Sequence, residues 1–467
     1  MASVVAACVA LAGCDTTSPP PPPATTLILS DPVRAFEPVA SPKVLAWLDV
    51  ELAALVHYGP PTHNRTGHGW ETWPVVPDSI NPSGWDPRQW ARVARDADIE
   101  GMVFTAKHHN GFALWPTATT DLNISRAPFK NGQGDMVADV AAAAAAEGLK
   151  FGVYLSPWDM NDPTFGTPEY AERYLEQGRE LLTGCGPMYE MWFDAAHGPG
   201  ASIDDVPVDD VARLAWELHP DLMAGPLGPP SDYRWGGNEE GVGEETNWSR
   251  RPGFLQPPQC NFPMRPNWFW TPSDDDRVMT PQDLVRTFFT TQGRGCQMMI
   301  GLAPDASGRI TDADARTLRT FRAHLDAVFD ADLAAFRPTT ASSVRDGCIG
   351  WAGRQATDPR PGTFWAADGD GPATLEVDLG GDVVFDVVEL REPLAYGQRV
   401  GEHHVHAFVN DEWREIVAAT TVMHRRLHTI EPVRASRVRL TIDRALAPPV
   451  IERFAVYDSE GLVPDID

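Results

Sequence analysis

Hydrophobic and polar positions follow two different periodicities along the chain, and the change comes near residue 336. Before it, apolar runs at 101–106, 150–155, 188–193 and 222–224 alternate with stretches of helical spacing at 136–147, 169–182 and 208–218. A further helix is predicted after Asp86, because aspartate caps a helix and Pro87 suits the first helical position. This alternation predicts a parallel sheet in an α/β fold, a (β/α)8-type barrel over residues 45–336.

After residue 336 the helical spacing gives way to short alternating runs. These lie at 373–379, 383–390, 404–408, 415–418, 438–442 and 451–456, with turn residues between them. Short strands in this arrangement are typical of a β-sandwich. The sequence therefore predicts a second domain over residues 337–467, a jelly-roll-like β-sandwich.

The first 44 residues belong to neither pattern. The apolar run at 4–12 is too short to span a membrane but has the length of a signal-peptide core. It ends in Leu-Ala-Gly-Cys, which resembles the bacterial lipobox with Cys14 as the lipidated residue, although no Lys or Arg precedes the run. We predict a lipoprotein-like signal segment at 1–14, a stiff Pro-rich linker at 15–44, and export to the periplasm or cell surface of a bacterium.

The net charge of −27 restricts the classes of possible partner. A chain this acidic lacks the basic surface that nucleic acid requires, whereas a neutral sugar is indifferent to it. The sixteen tryptophans fit either sugar stacking or core packing. The cysteines after residue 14 show no metal-site spacing, and buried thiols are favoured over a disulfide whose pairing stays open. No metal or other cofactor is predicted.

Two predicted strands end in polar residues. The run at 188–193 leads into Asp194, and the run at 101–106 leads into Lys107-His108-His109-Asn110. Catalytic groups of a parallel barrel lie at the C-terminal ends of its strands, on the loops that follow. Core packing alone does not explain why two strands end in clusters of polar residues, so the sequence predicts an enzyme.

These motifs, in this order, resemble the retaining family 29 glycoside hydrolases, the α-L-fucosidases. The resemblance covers about residues 45–310 and rests on a set of short motifs: His57-Tyr58-Gly59, Lys107-His108-His109-Asn110-Gly111-Phe112, Tyr154-Leu155-Ser156-Pro157-Trp158, Met191-Trp192-Phe193-Asp194, Asn267-Trp268-Phe269-Trp270 and Gly301-Leu302-Ala303-Pro304-Asp305. The region 340–456 is similar to the discoidin-like modules common in that family.

The resemblance implies a set of site residues. Retaining glycosidases use two carboxyl groups about 5–5.5 Å apart, one as nucleophile and one as acid/base. Asp194 matches the nucleophile, and Glu239 in a Gly-Asn-Glu loop matches the acid/base, with Glu240 and Glu244 as open alternatives. The implied substrate contacts are His57, Glu71, His108, His109, Tyr154, Trp192, Arg234 and Trp270. An arginine at 234 would orient Asp194 and lower its pKa.

The implied function is hydrolysis of terminal α-L-fucose, with the Gly-Asn-Glu loop favouring α-1,3/1,4 linkages on branched glycans. Relatives often carry carboxylates where this chain has Gln259 and Asn261, which puts the substrate specificity in doubt. Two alternatives stay open: a glycosidase for another sugar such as a galactoside, and a catalytically silent glycan-binding protein. The expected partner is a fucosylated glycan, with a lipid anchor through Cys14 and an undetermined oligomeric state.

Overall fold

Eight parallel strands form the first domain of a computed structural model that describes residues 32–67, 75–198, 202–228, 231–249 and 255–466. In chain order they are β1 (Leu52–Val56), β2 (Gly101–Lys107), β3 (Lys150–Leu155), β4 (Glu190–Phe193), β5 (Met223–Pro226), β6 (Arg234–Trp235), β7 (Pro258–Pro263) and β8 (Gln297–Leu302). The hydrogen-bonded order is β5-β4-β3-β2-β1-β8-β7-β6. The described strands therefore form a nearly closed barrel, which confirms the predicted fold.

Helices connect the strands and cover the barrel. They are α1 (Pro42–Leu48), α2 (Pro60–Asn64), α3 (Pro87–Arg95), α4 (Met136–Ala146), α5 (Pro168–Gly184), α6 (Val208–Leu218), α7 (Glu245–Trp248), α8 (Pro281–Thr291) and α9 (Asp312–Phe329). The predicted cap at the start of α3 is confirmed, because the Asp86 side chain accepts a hydrogen bond of 3.0 Å from the amide of Gln89. The helix predicted at 208–218 matches α6 at both ends.

Alternate residues of each strand serve two different cores. Leu55, Val103 and Met299 belong to a cluster inside the barrel. Ala54 and Met102, their neighbours in sequence, belong to the cluster that packs against the helices. Because successive side chains of a strand point to opposite faces, a strand covered on both faces reads as one continuous apolar run.

The second domain is antiparallel and built from eight strands among the described residues. They are β9 (Thr339–Ala341), β10 (Trp365–Ala366), β11 (Ala373–Arg391), β12 (Val400–Val409), β13 (Glu412–Ala419), β14 (Arg426–Ala445), β15 (Val450–Ile451) and β16 (Arg453–Tyr457). Six strands form one sheet, with the path β13-β12-β14-β11-β16 and with β9 paired to β11, and β10 and β15 form a separate pair. The predicted β domain is confirmed.

One detail of that prediction is wrong. The runs at 373–379 and 383–390 are two halves of the single strand β11, which stays paired with β14 on both sides of an irregularity between Asp378 and Val383. Gly380, with a φ of +80°, lies in this irregularity. Turn-type residues in the sequence here mark a bulge, which bends a strand without ending it.

The described N-terminal residues pack on the second domain. The amide of Phe36 donates to the carbonyl of Tyr396 and that of Ala40 to the carbonyl of Leu394, each at 3.0 Å. Gly397 adopts a φ of +86°, and a Cβ there would lie 1.9 Å from the Phe36 carbonyl oxygen, so only glycine fits. Helix α1 begins within the segment predicted as a linker, while the predicted signal and Cys14 lie outside the described residues.

A buried charge cluster joins the two domains. Glu51 precedes β1, and its carboxylate forms ion pairs with the guanidinium groups of Arg391 at 3.0 Å and Arg425 at 2.7 Å, both from the second domain. Both guanidinium groups also reach Glu389, at 2.7 and 2.9 Å. Burial by itself raises the pKa of Glu389, but the charges of Arg425 and Arg391 outweigh it and hold that pKa well below its usual range. The cluster thus depends on an ionised Glu389.

We predict that Glu389→Gln destabilises the protein by about 3–5 kcal/mol at pH 7, since it leaves the buried Arg425 and the partly buried Arg391 with half of their counter-charge. The lowered pKa means that Glu389 contributes fully above its unfolded pKa of about 4.3, and that its contribution is lost as the pH falls through the lower folded value. Urea unfolding at pH 7 and at pH 3 measures both effects.

The matched control is Glu402→Gln, which removes an exposed ion pair with Arg444 in the same domain. Its expected effect is under about 1 kcal/mol at either pH. Equal stability of Glu389→Gln and the wild type at pH 7 would contradict the role of the cluster.

Candidate active site

A cavity of about 640 Å³ lies at the C-terminal ends of the barrel strands. That is the end at which parallel barrels carry their reactive groups. Its lining brings together residues that are far apart in sequence, among them His57, His108, His109, Tyr154, Trp192, Asp194, Trp235, Glu239, Asn261 and Trp268. Seven of these are sequence-predicted site residues, and Trp235, Asn261 and Trp268 are additional.

Asp194 follows β4 directly and is held from several directions. The hydroxyl of Tyr154 donates to Oδ2 at 2.7 Å, and the backbone amide of Ala196 donates to Oδ1 at 2.8 Å. His109 Nε2 lies 3.7 Å from Oδ2. The side chain keeps 26% of its surface exposed, toward the cavity. Asp194 is therefore a fixed carboxylate with one open side.

Burial raises the pKa of Asp194, and the hydrogen bonds from Tyr154 and Ala196 oppose that rise. The prediction that Arg234 supports this carboxylate needs correction. Arg234 does not line the cavity, and its guanidinium donates to the backbone carbonyls of Gln256 and Asn247. Loop carbonyls take up its donors, so it ties loops together.

Three histidines form one wall of the cavity. The ring centroid of His108 lies 5.5 Å from that of His57 and 4.0 Å from that of His109, and Phe269 packs edge-on against His57 and His108. Burial lowers the pKa of His109 to about 3 and that of His57 well below its usual value. Both imidazoles are neutral at pH 7, and a neutral imidazole can donate to one hydroxyl and accept from another.

The floor of the cavity rests on Gln259. Trp192 stacks on Tyr154, with ring centroids 5.3 Å apart, and its indole N–H donates to Gln259 Oε1 at 2.7 Å. The amide nitrogen of Gln259 donates to Glu190 and Gln297, both at 2.8 Å. An amide can accept and donate at once, which a carboxylate cannot do. The glutamine that replaces a family carboxylate is thus a buried support below the cavity lining.

Glu239 reaches the cavity from the loop after β6. The indole N–H of Trp268 donates to Glu239 Oε2 at 3.2 Å, and Trp268 packs 4.9 Å from the ring of His57. The alternatives Glu240 and Glu244 do not line the cavity. The burial expected of a general acid is not found, because Glu239 is exposed. A sugar bound in the cavity would cover it.

The aromatic residues of the site differ from expectation at one predicted and one unpredicted position. Trp270 does not line the cavity and donates its indole N–H to Asp275 at 2.8 Å, whereas Trp268 of the same motif takes the lining position. Trp235 was not singled out, yet its exposed indole lines the mouth and donates to Asn261 Oδ1 at 2.6 Å. For Asn261 the sequence did offer a signal, because relatives often carry a carboxylate at this position. Glu71 lies outside the described residues.

A barrel cavity with a fixed carboxylate, a second carboxyl group and neutral imidazoles fits the two-carboxyl chemistry of the glycoside hydrolase class. A family model described as alpha-L-fucosidase matches residues 53–328, and one described as NedA-like, galactose-binding domain matches residues 355–440. The chain belongs to the α-L-fucosidase family, glycoside hydrolase family 29.

Similar proteins extend over most of the chain. It is 31% identical over 448 residues to alpha-L-fucosidase 1 of Arabidopsis thaliana, which covers 90% of this chain and 87% of that protein. A family member from Oryza sativa subsp. japonica is 36% identical over 450 residues, covering 90% and 85%. The crystal structure of SpGH29 has 29% identity and a TM-score of 0.86, and covers 91% of this chain and all of that one.

We predict that Tyr154→Phe shifts the acid limb of the kcat/KM profile to higher pH. The hydroxyl stabilises the ionised form of Asp194, so its removal raises the pKa of Asp194 and reduces the ionised fraction at acid pH. Initial rates on an aryl fucoside across the pH range measure this shift.

The matched control is Tyr174→Phe, since Tyr174 is equally buried but donates to the backbone carbonyl of Leu155 at 3.1 Å. The acid limb of its kcat/KM profile should coincide with that of the wild type. An unchanged limb in Tyr154→Phe would show that the hydroxyl does not govern the ionisation of Asp194.

Proposed function

We propose that the protein is an exo-acting α-L-fucosidase that releases terminal fucose with net retention of configuration. The observation that carries the proposal is the carboxylate of Asp194, fixed by Tyr154 and Ala196 and open toward the cavity that Glu239 also lines. A nucleophile needs this fixed geometry, and an acid/base needs access to the leaving oxygen and then to water.

In the first step Asp194 attacks the anomeric carbon while the bond from that carbon to the glycosidic oxygen breaks. Glu239 gives its proton to the departing oxygen, which leaves as the alcohol of the remaining glycan. Asp194 then carries fucose as a covalent ester. The Tyr154 hydrogen bond opposes the rise in the pKa of Asp194 that burial causes, and so favours the ionised nucleophile.

In the second step the Glu239 carboxylate takes a proton from water as the water oxygen attacks the anomeric carbon. The ester bond to Asp194 breaks and fucose departs with its original configuration. The neutral imidazoles of His57 and His109, with the ring of His108 between them, are suited to hold the sugar hydroxyls through both steps. Trp192 and Trp268 offer apolar surface for the methyl side of a deoxy sugar.

The mouth of the cavity supports a proposal for the linkage. Trp235 keeps 41% of its surface exposed next to Glu239, and its indole is oriented by Asn261. An exposed aromatic face beside the acid/base suits the stacking of a leaving sugar. Together with the Gly-Asn-Glu loop, this supports α-1,3/1,4-linked fucose on branched glycans as the substrate.

The test measures fucose release from a Lewis-type trisaccharide and from 4-nitrophenyl α-L-fucoside by the wild type, Asp194→Ala and Glu239→Ala, with Glu240→Ala as the matched control. Loss of the nucleophile should abolish release from both substrates. Loss of the acid/base should lower release from the trisaccharide by about 10²–10⁴-fold. Glu240→Ala should match the wild type, and NMR should show α-fucose as the first product.

Each contrary result removes a different part of the proposal. Activity that survives Glu239→Ala but not Glu240→Ala or Glu244→Ala moves the acid/base along the loop. β-Fucose as the first product rules out retention. A folded wild type that releases no fucose from either substrate favours action on another sugar or glycan binding alone.

We also propose that the protein is exported and anchored through Cys14, ahead of a linker to residue 44, a barrel at 45–336 and a β domain at 337–467. This rests on the sequence pattern of residues 1–31, which lie outside the described part of the chain. No helix among the described residues is long and apolar enough to cross a membrane.

Metabolic labelling with palmitate should mark the full chain in bacteria and not Cys14→Ala; equal labelling would contradict the anchor.

A further inference from the structure

The acid/base loop, residues 236–249, runs from the end of β6 through α7 and carries Glu239. Around Glu239 the loop is held locally by the side chain of Asn238, which donates to the carbonyl of Val242 and accepts from the amides of Glu240 and Val242. Glu239 is exposed and accepts a hydrogen bond from the indole of Trp268. The position of its carboxyl group therefore depends on what holds the loop at its two ends.

One part of the loop is tied to the barrel. The amide of Gly243 donates to the carbonyl of Thr290 at 2.7 Å, and the Thr290 hydroxyl donates to the carbonyl of Gly241 at 2.9 Å. Arg294, just beyond α8, donates to the carbonyl of Gly243 at 3.0 Å. These contacts fix the middle of the loop through its backbone.

The far end of the loop is held by the second domain. Trp248 is 9% exposed, and its indole N–H donates to Thr420 Oγ1 at 3.2 Å. Its carbonyl accepts from Gln398 at 2.9 Å and from Thr421 at 2.8 Å. The guanidinium of Arg426 lies over the indole, 4.2 Å from the ring centroid. All four partners belong to the β domain.

The held end is coupled to the start of the loop. The side chain of Asn247 donates to the carbonyl of Gly236 at 3.0 Å, and Arg234 donates to the carbonyl of Asn247. A hydrogen bond thus joins residues 236 and 247, and Glu239 lies between them in the chain. Trp248, next to Asn247, is therefore linked to the segment that carries the acid/base.

We infer that the β domain positions the acid/base of the barrel through Trp248, which acts as a positioning residue for Glu239. The inference rests on the proposed function, because it assumes that Glu239 protonates the leaving group. A displacement of about 1 Å at a reacting group lowers a rate by on the order of 100-fold. The second domain is then required for proton transfer at the barrel.

The experiment compares full-length wild type, Trp248→Ala and Trp248→Phe on two substrates. One is the Lewis-type trisaccharide, whose leaving sugar needs a proton, and the other is 2,4-dinitrophenyl α-L-fucoside, whose leaving group departs without one. Trp248→Ala should lower kcat/KM on the trisaccharide by about 100-fold. It should leave the first step on the activated substrate far less affected, as Glu239→Ala does.

Trp248→Phe keeps an aromatic ring under Arg426 and loses only the N–H, so its activity on the trisaccharide should recover toward the wild type. The matched control is Trp413→Ala, whose ring contacts Phe408, Arg437 and Arg439 within the β domain and does not line the cavity. It should retain wild-type kinetics on both substrates. If Trp248→Ala fails to fold, Gln398→Ala and Thr421→Val replace it and should show the same selective loss.

The outcomes separate this inference from the proposed function. A wild type without fucosidase activity overturns the proposed function and the inference with it, and full activity in Glu239→Ala overturns the assigned acid/base and the inference with it. If Glu239→Ala behaves as expected, equal losses on both substrates in Trp248→Ala overturn the inference alone, because they indicate general disruption. Wild-type kinetics in Trp248→Ala overturn it as well. Selective loss with recovery in Trp248→Phe supports it.

Discussion

The hydrogen bond from Trp192 to the buried amide of Gln259 supports the site from below. Gln259 in turn donates to Glu190, and Trp192 stacks on Tyr154, whose hydroxyl holds Asp194. Contacts thus connect the buried Glu190 to Asp194. Burial raises the pKa of Glu190, while hydrogen bonds from Gln259 and Trp47 oppose that rise. In a water-poor interior such a network is stable only when each polar group has a partner, which makes the floor of the cavity rigid.

The two carboxyl groups of the cavity are held in place to different degrees. Asp194 directly follows a barrel strand and is held by side-chain and backbone donors, whereas Glu239 lies on an exposed loop. A nucleophile that attacks one carbon benefits from a rigid strand end. In the proposed mechanism Glu239 serves first as acid and then as base and must meet a leaving oxygen and afterwards water, so a loop held at its ends suits that role. The two domains share this task, and the buried charges around Glu51 and Glu389 join them.

Prediction from sequence succeeded where local rules decide the result. The helix at 208–218 and the strand at 150–155 were predicted within their observed bounds, because periodicity and burial on both faces leave a direct trace in the residue order. Prediction failed where a side chain's direction depends on the path of a loop. Trp268 lines the cavity in place of Trp270, and Arg234 binds loop carbonyls, because distant segments decide which way these residues face.

The sequence by itself determined the barrel, the β domain, the family and the strand end that carries Asp194, since each leaves a local pattern of apolar runs and motifs. The tertiary structure alone decided that Gln259 lies below the cavity, that Trp235 and Trp268 line it, and that Trp248 lies against the β domain. These placements bring together residues tens or hundreds of positions apart. Such contacts are fixed by packing and hydrogen-bond satisfaction across the whole fold, which the order of residues within any one segment does not reveal.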